Sequence, residues 1–135
     1  MDILFDTHIL LWALAGSEKL PEKARRIISD NDNSIYFSVI SLWEIEIKRL
    51  KNPVSLPFTE QKICDYSIRS GYKLLELNDR SIYHLSELRR PENEPSHKDP
   101  FDKMLLCQAI SENMKFLTHD SLIKGYDCNN IIFVQ

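Results

Sequence analysis

The sequence predicts an α/β fold, a parallel β-sheet flanked by helices on both faces, and three observations carry that reading. Short apolar runs alternate with helically spaced ones along the whole chain. The apolar runs, such as Ile3-Leu4-Phe5 and Ile131-Ile132-Phe133-Val134, show no polar face, as expected of strands buried on both sides. Finally, 135 residues with 43% apolar and 27% charged side chains suffice for one core, without repeat, low-complexity tract or linker. Residues 1–135 are therefore read as a single domain.

The elements follow in order. Ile3-Leu4-Phe5 is a strand ending at Asp6, and Ile9, Leu10, Trp12, Ala13 and Leu14 have helical spacing immediately after it. Gly16-Ser17 breaks that helix, and Pro21 opens a second one through Ile28. Ser34–Ser38 reads as a buried strand after the turn-forming Asn31-Asp32-Asn33. Val39–Lys51 is helical, with Ile40, Trp43 and Ile47 assigned to one buried face, and Asn52-Pro53 ends it. A weaker helix covers Thr59–Ser70, a third strand Lys73–Leu77, and a further helix Asp79–Leu88. Arg89–Lys98, with Pro91 and Pro95, is a loop. Pro100 starts an amphipathic helix bearing Phe101, Leu105, Leu106, Ala109 and Ile110, and Lys115–Thr118 and Ile131–Val134 are the last strands.

Seventeen basic against twenty acidic residues give a formal charge of −3, so no overall positive field draws in nucleic acid or anionic lipid. The cysteines Cys64, Cys107 and Cys128 are odd in number and form no CxxC pair. That argues against a disulfide framework or a thiolate zinc site and points to a reducing, cytoplasmic setting. Ile9–Ala15 imitates a signal-peptide core, but Asp2 and Asp6 stand where a basic region is needed, and no uncharged stretch nears the roughly 20 residues of a membrane span. A mature cytoplasmic protein without membrane contact is expected.

Ligands of open parallel sheets bind where the strands end and the loops converge. Asp6 closes the first strand, Asp120 follows the Lys115–Thr118 strand, Glu44 lies in the helix after the second strand, and Asp102 occupies the first turn after Pro100. Each has a structural alternative. Asp6, Asp99 and Asp120 suit helix caps, and Asp102 suits a helix N-terminus. Glu44 falls on the face assigned to the core and needs a partner, which Lys48 at i+4 can supply. Brought together, these carboxylates repel one another and call for compensating charge. Mg²⁺ or Mn²⁺, which prefer oxygen ligands and retain several waters, answers that need and supports phosphodiester hydrolysis.

Histidine ligation is the competing reading, because His8 and His119 adjoin candidate carboxylates, but no HExxH-like spacing accompanies them. His8 and His119 are read as neighbours of the ligands or as substrate-facing groups. His84 and His97 are read as surface residues.

Four stretches in order resemble one family: Phe5-Asp6-Thr7-His8-Ile9-Leu10-Leu11-Trp12, Ser38-Val39-Ile40-Ser41-Leu42-Trp43-Glu44-Ile45, His97-Lys98-Asp99-Pro100-Phe101-Asp102-Lys103-Met104-Leu105, and Thr118-His119-Asp120. The chain resembles, end to end, the PIN-domain ribonucleases and, within them, the VapC-type toxins of bacterial toxin–antitoxin pairs. That resemblance implies a PIN-like parallel sheet, a homodimer, an Mg²⁺- or Mn²⁺-binding acidic pocket that cuts RNA, and a cognate antitoxin protein. It places Asp6, Glu44, Asp102 and Asp120 in the catalytic and metal-binding positions. Asp99 matches a further aspartate of the DPFD-bearing branch, and Thr7, Ser38 and Thr118 match hydroxyl positions that line such pockets. Lys48, Arg49, Lys51, Lys98 and Lys103 are candidates for guiding an RNA backbone, with a solvated helix face as the alternative.

The function expected is thus a metal-dependent endoribonuclease, the toxin of a toxin–antitoxin pair. A non-catalytic PIN-like module that binds RNA or protein is the alternative. A phosphoaspartyl phosphatase or receiver domain fits less well, because the phosphatase pattern needs an Asp where this chain has His8. Setting aside the four pocket acids leaves sixteen acidic against seventeen basic residues, so the remaining surface is near neutral.

Overall fold

A computed structural model describes residues 1–135. β1 (Asp2–Phe5) leads into α1 (Thr7–Ala15) and α2 (Glu22–Ser29), and β2 (Ser34–Ser38) leads into α3 (Val39–Lys51) and α4 (Glu60–Arg69). β3 (Lys73–Leu75), α5 (Asp79–Tyr83) and a 3₁₀ turn (His84–Glu87) follow. α6 (Pro100–Ser111), β4 (Lys115–Thr118), a second 3₁₀ turn (Ile123–Gly125) and β5 (Ile131–Phe133) complete the chain. The five strands form one sheet in the order β3-β2-β1-β4-β5, and every neighbouring pair is parallel. This is the α/β architecture with a parallel sheet that the apolar strands imply.

The pleat divides the core into two layers. Ile3 and Phe5 of β1, Ile35 and Phe37 of β2, and Leu117 of β4 pack with Ile9, Leu10, Ala24, Leu42, Ile45 and Ile63 of α1–α4. Leu4 and Phe116 point the other way, against Ile40, Leu105, Leu106 and Ala109 of α3 and α6. Helices therefore cover both faces. No helix is long and apolar enough to cross a membrane.

Three expectations are corrected. β3 stops at Leu75 rather than Leu77, because Leu75 pairs with Ser38, where β2 itself gives way to α3. The helix from Asp79 is α only to Tyr83 and then tightens into the 3₁₀ turn. Trp43 is not a core residue: it is 58% exposed and packs edge-on against Phe101 at 5.0 Å. The inward residues of α3 are Ile40, Leu42 and Ile45, since this helix meets both core layers.

The chain builds the sheet outward from β1 through β2 to β3, then crosses back to place β4 on the opposite side of β1. The loops after β1 and β4 thus diverge and leave a crevice at the carboxyl ends of these strands, the switch point where open parallel sheets bind ligands. Asp6 and Asp120 are the residues that the topology delivers there.

Candidate acidic active site

Asp6, Glu44, Asp99, Asp102 and Asp120 line one cavity of about 420 Å³, with Lys48, His8, Trp12 and His119 around it. The four predicted carboxylates and Asp99 are thus brought together from β1, α3, α6 and the segment after β4.

Asp6 is 3% exposed and uses both carboxylate oxygens. Oδ1 accepts the Ile9 N–H at 2.9 Å and caps α1, while Oδ2 accepts the Thr118 hydroxyl at 2.6 Å. The cap and the site role are therefore compatible. The Thr118 hydroxyl oxygen also accepts the Asp120 N–H at 3.0 Å, so one threonine at the end of β4 links the two strand-end aspartates. Asp120 Oδ1 in turn accepts the Leu122 N–H at 2.9 Å. Burial raises the Asp6 carboxyl above its ordinary range, against the lowering effect of its hydrogen bonds to Thr118 and Ile9.

Glu44 is 3% exposed and has the partner its position requires. Oε2 accepts from Lys48 Nζ at 2.8 Å, and Oε1 accepts from the Thr7 hydroxyl at 2.7 Å. Thr7 Oγ1 also lies 2.9 Å from Ser41 Oγ, which extends the chain of hydroxyls behind the carboxylate.

Asp99 caps α6, its Oδ1 accepting the N–H groups of Phe101 at 2.9 Å and Asp102 at 3.2 Å, ahead of Pro100 in the first turn. That cap turns Asp102 into the pocket. Burial, followed by the charges of Asp99, Asp6, Glu44 and Asp120, pushes the Asp102 carboxyl up to about 8. The set is over-acidic for its degree of burial, the condition that a bound divalent cation relieves.

The remaining predicted residues fall into distinct places. Ser38 does not line the pocket. It is fully buried, caps α3 by accepting the Ile40 N–H at 3.0 Å, and donates to Gln108 Oε1 of α6. It fixes α3 against α6, the helices that carry Glu44 and Asp102. Lys48 reaches the pocket, and Lys98 and Lys103 border an adjacent apolar hollow with Trp43 and Phe101. Arg49 is paired with Glu46 rather than free for a phosphate, and Lys51 is exposed at the end of α3.

His97 is not a surface residue. The loop before α6 folds over it and leaves it 6% exposed, with Nδ1 2.7 Å from the Tyr126 hydroxyl. Burial holds its imidazole below the ordinary value. Arg90 stacks on Tyr126 at 4.9 Å and donates to the carbonyls of Pro95, at 2.6 Å, and Leu122. A Cβ on Gly125 would stand 2.7 Å from Arg90 Nη1 and 2.8 Å from Glu94 Oε2, so a larger residue in this 3₁₀ turn would push these side chains aside. His84 lies against Glu87, away from the pocket.

Trp12 and Ser41, inside the family-like stretches, and Gln108 and Tyr126, outside them, carry no site role in the sequence reading. Gln108 carries a visible signal, a polar residue inside the apolar Leu105–Ala109 run, and it is fully buried. Trp12 sits between His8 and His119 at ring distances of 5.8 and 5.2 Å, forming an aromatic rim.

Several comparisons agree with this geometry. The chain is similar to VapBC2 from Rickettsia felis, solved with a DNA fragment from its promoter, at 21% identity and a TM-score of 0.66, covering 98% of this chain and 97% of that one. It is similar to VapBC-1 from nontypeable Haemophilus influenzae at 16% identity and a TM-score of 0.58, covering 93% and 90%. A toxin–antitoxin complex from Klebsiella pneumoniae matches at 18% identity and a TM-score of 0.56, covering 96% and 95%. At these identities the shared property is the fold. No curated protein matches the chain. The PIN domain family model matches residues 3–127, a span that contains every carboxylate of the pocket. With its sheet order, its strand-end acids and that match, the chain belongs to the PIN domain family.

Proposed function

We propose that residues 1–135 form a single PIN domain acting as an Mg²⁺- or Mn²⁺-dependent endoribonuclease, the toxin of a toxin–antitoxin pair working in the cytoplasm. The observation that carries this reading is the convergence of Asp6, Glu44, Asp102 and Asp120 on one cavity, with the Asp102 carboxyl pushed up to about 8 by burial and its neighbours. Such a donor set fits a divalent cation: it is all oxygen, crowded, and has only Lys48 as a paired cation. Asp6, Asp102, Glu44 and Asp120 are the residues that would hold it. When bound, the cation would supply positive charge that lowers the pKa of water and offsets charge on a phosphodiester.

The chain's own residues do the rest. Thr118 holds Asp6 and positions Asp120 through its single hydroxyl, and Thr7 and Lys48 fix both oxygens of Glu44. Preorganised carboxylates of this kind need no rearrangement as charge develops. Lys48 lines the cavity, where it can attract the RNA backbone, and Lys98 and Lys103 line the separate hollow beside Trp43 and Phe101, from which they can extend that attraction.

An antitoxin partner is supported by a groove of about 580 Å³ lined by Leu11, Leu14, Leu56, Pro57, Phe58 and Tyr66. Trp12 borders both this groove and the acidic pocket, so a segment seated in the groove reaches the carboxylates. Exposed Trp43, Ile82, Tyr83 and Leu85 on α3, α5 and the turn after it support a homodimer. The test is incubation of the purified protein with RNA in Mg²⁺ and in excess chelator. Metal-dependent fragments support the reading, and a mobility shift without fragments supports the non-catalytic alternative.

A further inference from the structure

We infer that His97 Nε2 is a nitrogen ligand in the acidic pocket, coordinating a divalent cation together with Asp102 and Asp120 and biasing the site towards Mn²⁺ and later transition metals over Mg²⁺. This rests on the reading that the pocket holds a divalent cation, and it changes which cation and which residues.

The first support is an orphaned atom. The His97 side chain is 2% exposed, and Nε2 is buried with no hydrogen-bond partner. Leaving a buried polar atom unpaired forfeits its hydration without return, so such atoms call for a partner outside the chain. Nε2 faces Asp102 Oδ2 at 3.7 Å, too far for a hydrogen bond. One ligand atom each from His97, Asp102 and Asp120 falls within 4.8 Å of the others. Metal–nitrogen and metal–oxygen bonds of about 2.0–2.2 Å place two ligands of one ion roughly 3 to 4 Å apart, depending on their angle. The His97–Asp102 separation lies inside that range, and Asp120 is no more than 4.8 Å from either.

The second support is the ring's other nitrogen. Nδ1 lies 2.7 Å from the Tyr126 hydroxyl, whose ring is fixed by the stacked Arg90 guanidinium. In the tautomer whose Nδ1–H donates to the Tyr126 oxygen, Nε2 presents its lone pair towards the Asp102 carboxylate. Metal-binding histidines are commonly oriented in this way by a hydrogen bond on the remote nitrogen. A lone pair aimed at carboxylate oxygens is repulsive without a cation between them. The burial is specific to His97: His8 and His119, also beside the pocket, are exposed.

Selectivity follows from the donors. Oxygen ligands suit Mg²⁺ and Mn²⁺ alike, whereas imidazole nitrogen favours Mn²⁺ and more strongly the later metals.

The test uses the full-length protein loaded with Mn²⁺ alone and reads electron spin echo modulation from nitrogen. The wild type is expected to show nitrogen coupling that changes when histidine is labelled with ¹⁵N. The coupling should persist in His8→Gln and His119→Gln, both exposed positions, and vanish in His97→Gln. By calorimetry, His97→Gln should weaken Mn²⁺ about tenfold or more while Mg²⁺ changes less than about threefold, and Tyr126→Phe should weaken Mn²⁺ by about tenfold. If His97→Gln does not fold, the wild-type coupling and the two exposed variants decide. Mn²⁺ bound without nitrogen coupling, or coupling lost in His8→Gln or His119→Gln, overturns the assignment of His97 and leaves the carboxylate pocket intact. Failure to bind either cation overturns both readings.

Discussion

Replacing Asp102 with asparagine should stabilise the metal-free protein while removing its activity. The Asp102 carboxyl is moved from 3.8 to about 8, first by burial and then by Asp99, Asp6, Glu44 and Asp120. At 1.36 kcal/mol per pH unit, its anion is held about 6 kcal/mol less favourably in the folded chain than in the unfolded one. The side chain keeps 16% of its surface in water, and its neighbours share the repulsion, so a neutral isostere should recover up to half, roughly 2–3 kcal/mol. The position near the N-terminus of α6 favours a negative charge by only about 0.3–1 kcal/mol and does not reverse the sign. Because the folded state holds this proton more tightly, the unfolded state binds fewer protons between pH 3.8 and about 8, and wild-type stability falls as pH rises through that window. Thermal melts in chelator should therefore show Asp102→Asn and wild type close together near pH 4. The variant should melt roughly 6–9 °C higher at pH 8.5, at about 3 °C per kcal/mol for a chain of this size. Added Mg²⁺ should raise the wild-type melting temperature more than the variant's. A variant less stable than wild type at pH 8.5, or a difference independent of pH, would refute the argument that the pocket is electrostatically overloaded.

Three further outcomes follow from particular contacts. Gly125→Ala should cost about 1–3 kcal/mol, because its Cβ would displace the Arg90 guanidinium from Tyr126 and the Leu122 carbonyl; urea unfolding checks it, and an unchanged midpoint would show that Arg90 yields freely. Lys48→Met leaves Glu44 with only its Thr7 hydrogen bond, yet Lys48 is 48% exposed, so the loss should stay at or below about 1 kcal/mol in chelator. A loss above about 3 kcal/mol would show the pair to be fully desolvated. RNA binding by Asp6→Asn should weaken only shallowly with salt, since few cations adjoin the pocket; a steep slope would place the binding energy in many phosphate contacts instead.

Much of this was legible in the residues, for identifiable reasons. Apolar strands without a polar face imply a buried parallel sheet, and Leu4 and Phe5 do pack into opposite core layers. Strand-end acids imply a ligand crevice, and the crossover from β3 to β4 sets Asp6 beside Thr118 and Asp120. Glu44 and Lys48 pair as their spacing suggests. What was hidden depends on tertiary enclosure. His97 sits in a loop with no periodicity, and only the packing of Tyr126 and Arg90 reveals its burial. Trp43 has the spacing of a core residue, but α3 contacts two core layers and turns that side towards Phe101. Ser38 reads as a pocket hydroxyl because it precedes the Glu44 helix, whereas its partner Gln108 lies on a helix seventy residues away.

The central claim, that the acids at the β1/β4 switch point make a metal-dependent nuclease, is tested most directly by the rate of RNA cleavage in Mg²⁺ for wild type and Asp6→Asn. Asparagine can still cap α1 through its single Oδ1, while its Nδ2 donates to the Thr118 oxygen instead of accepting from it, so the variant should melt within a few degrees of wild type. The account predicts wild-type cleavage that stops in chelator and falls at least about a hundredfold in the folded variant, as expected when a preorganised catalytic group is removed. Cleavage that survives both excess chelator and the Asp6→Asn substitution would contradict it.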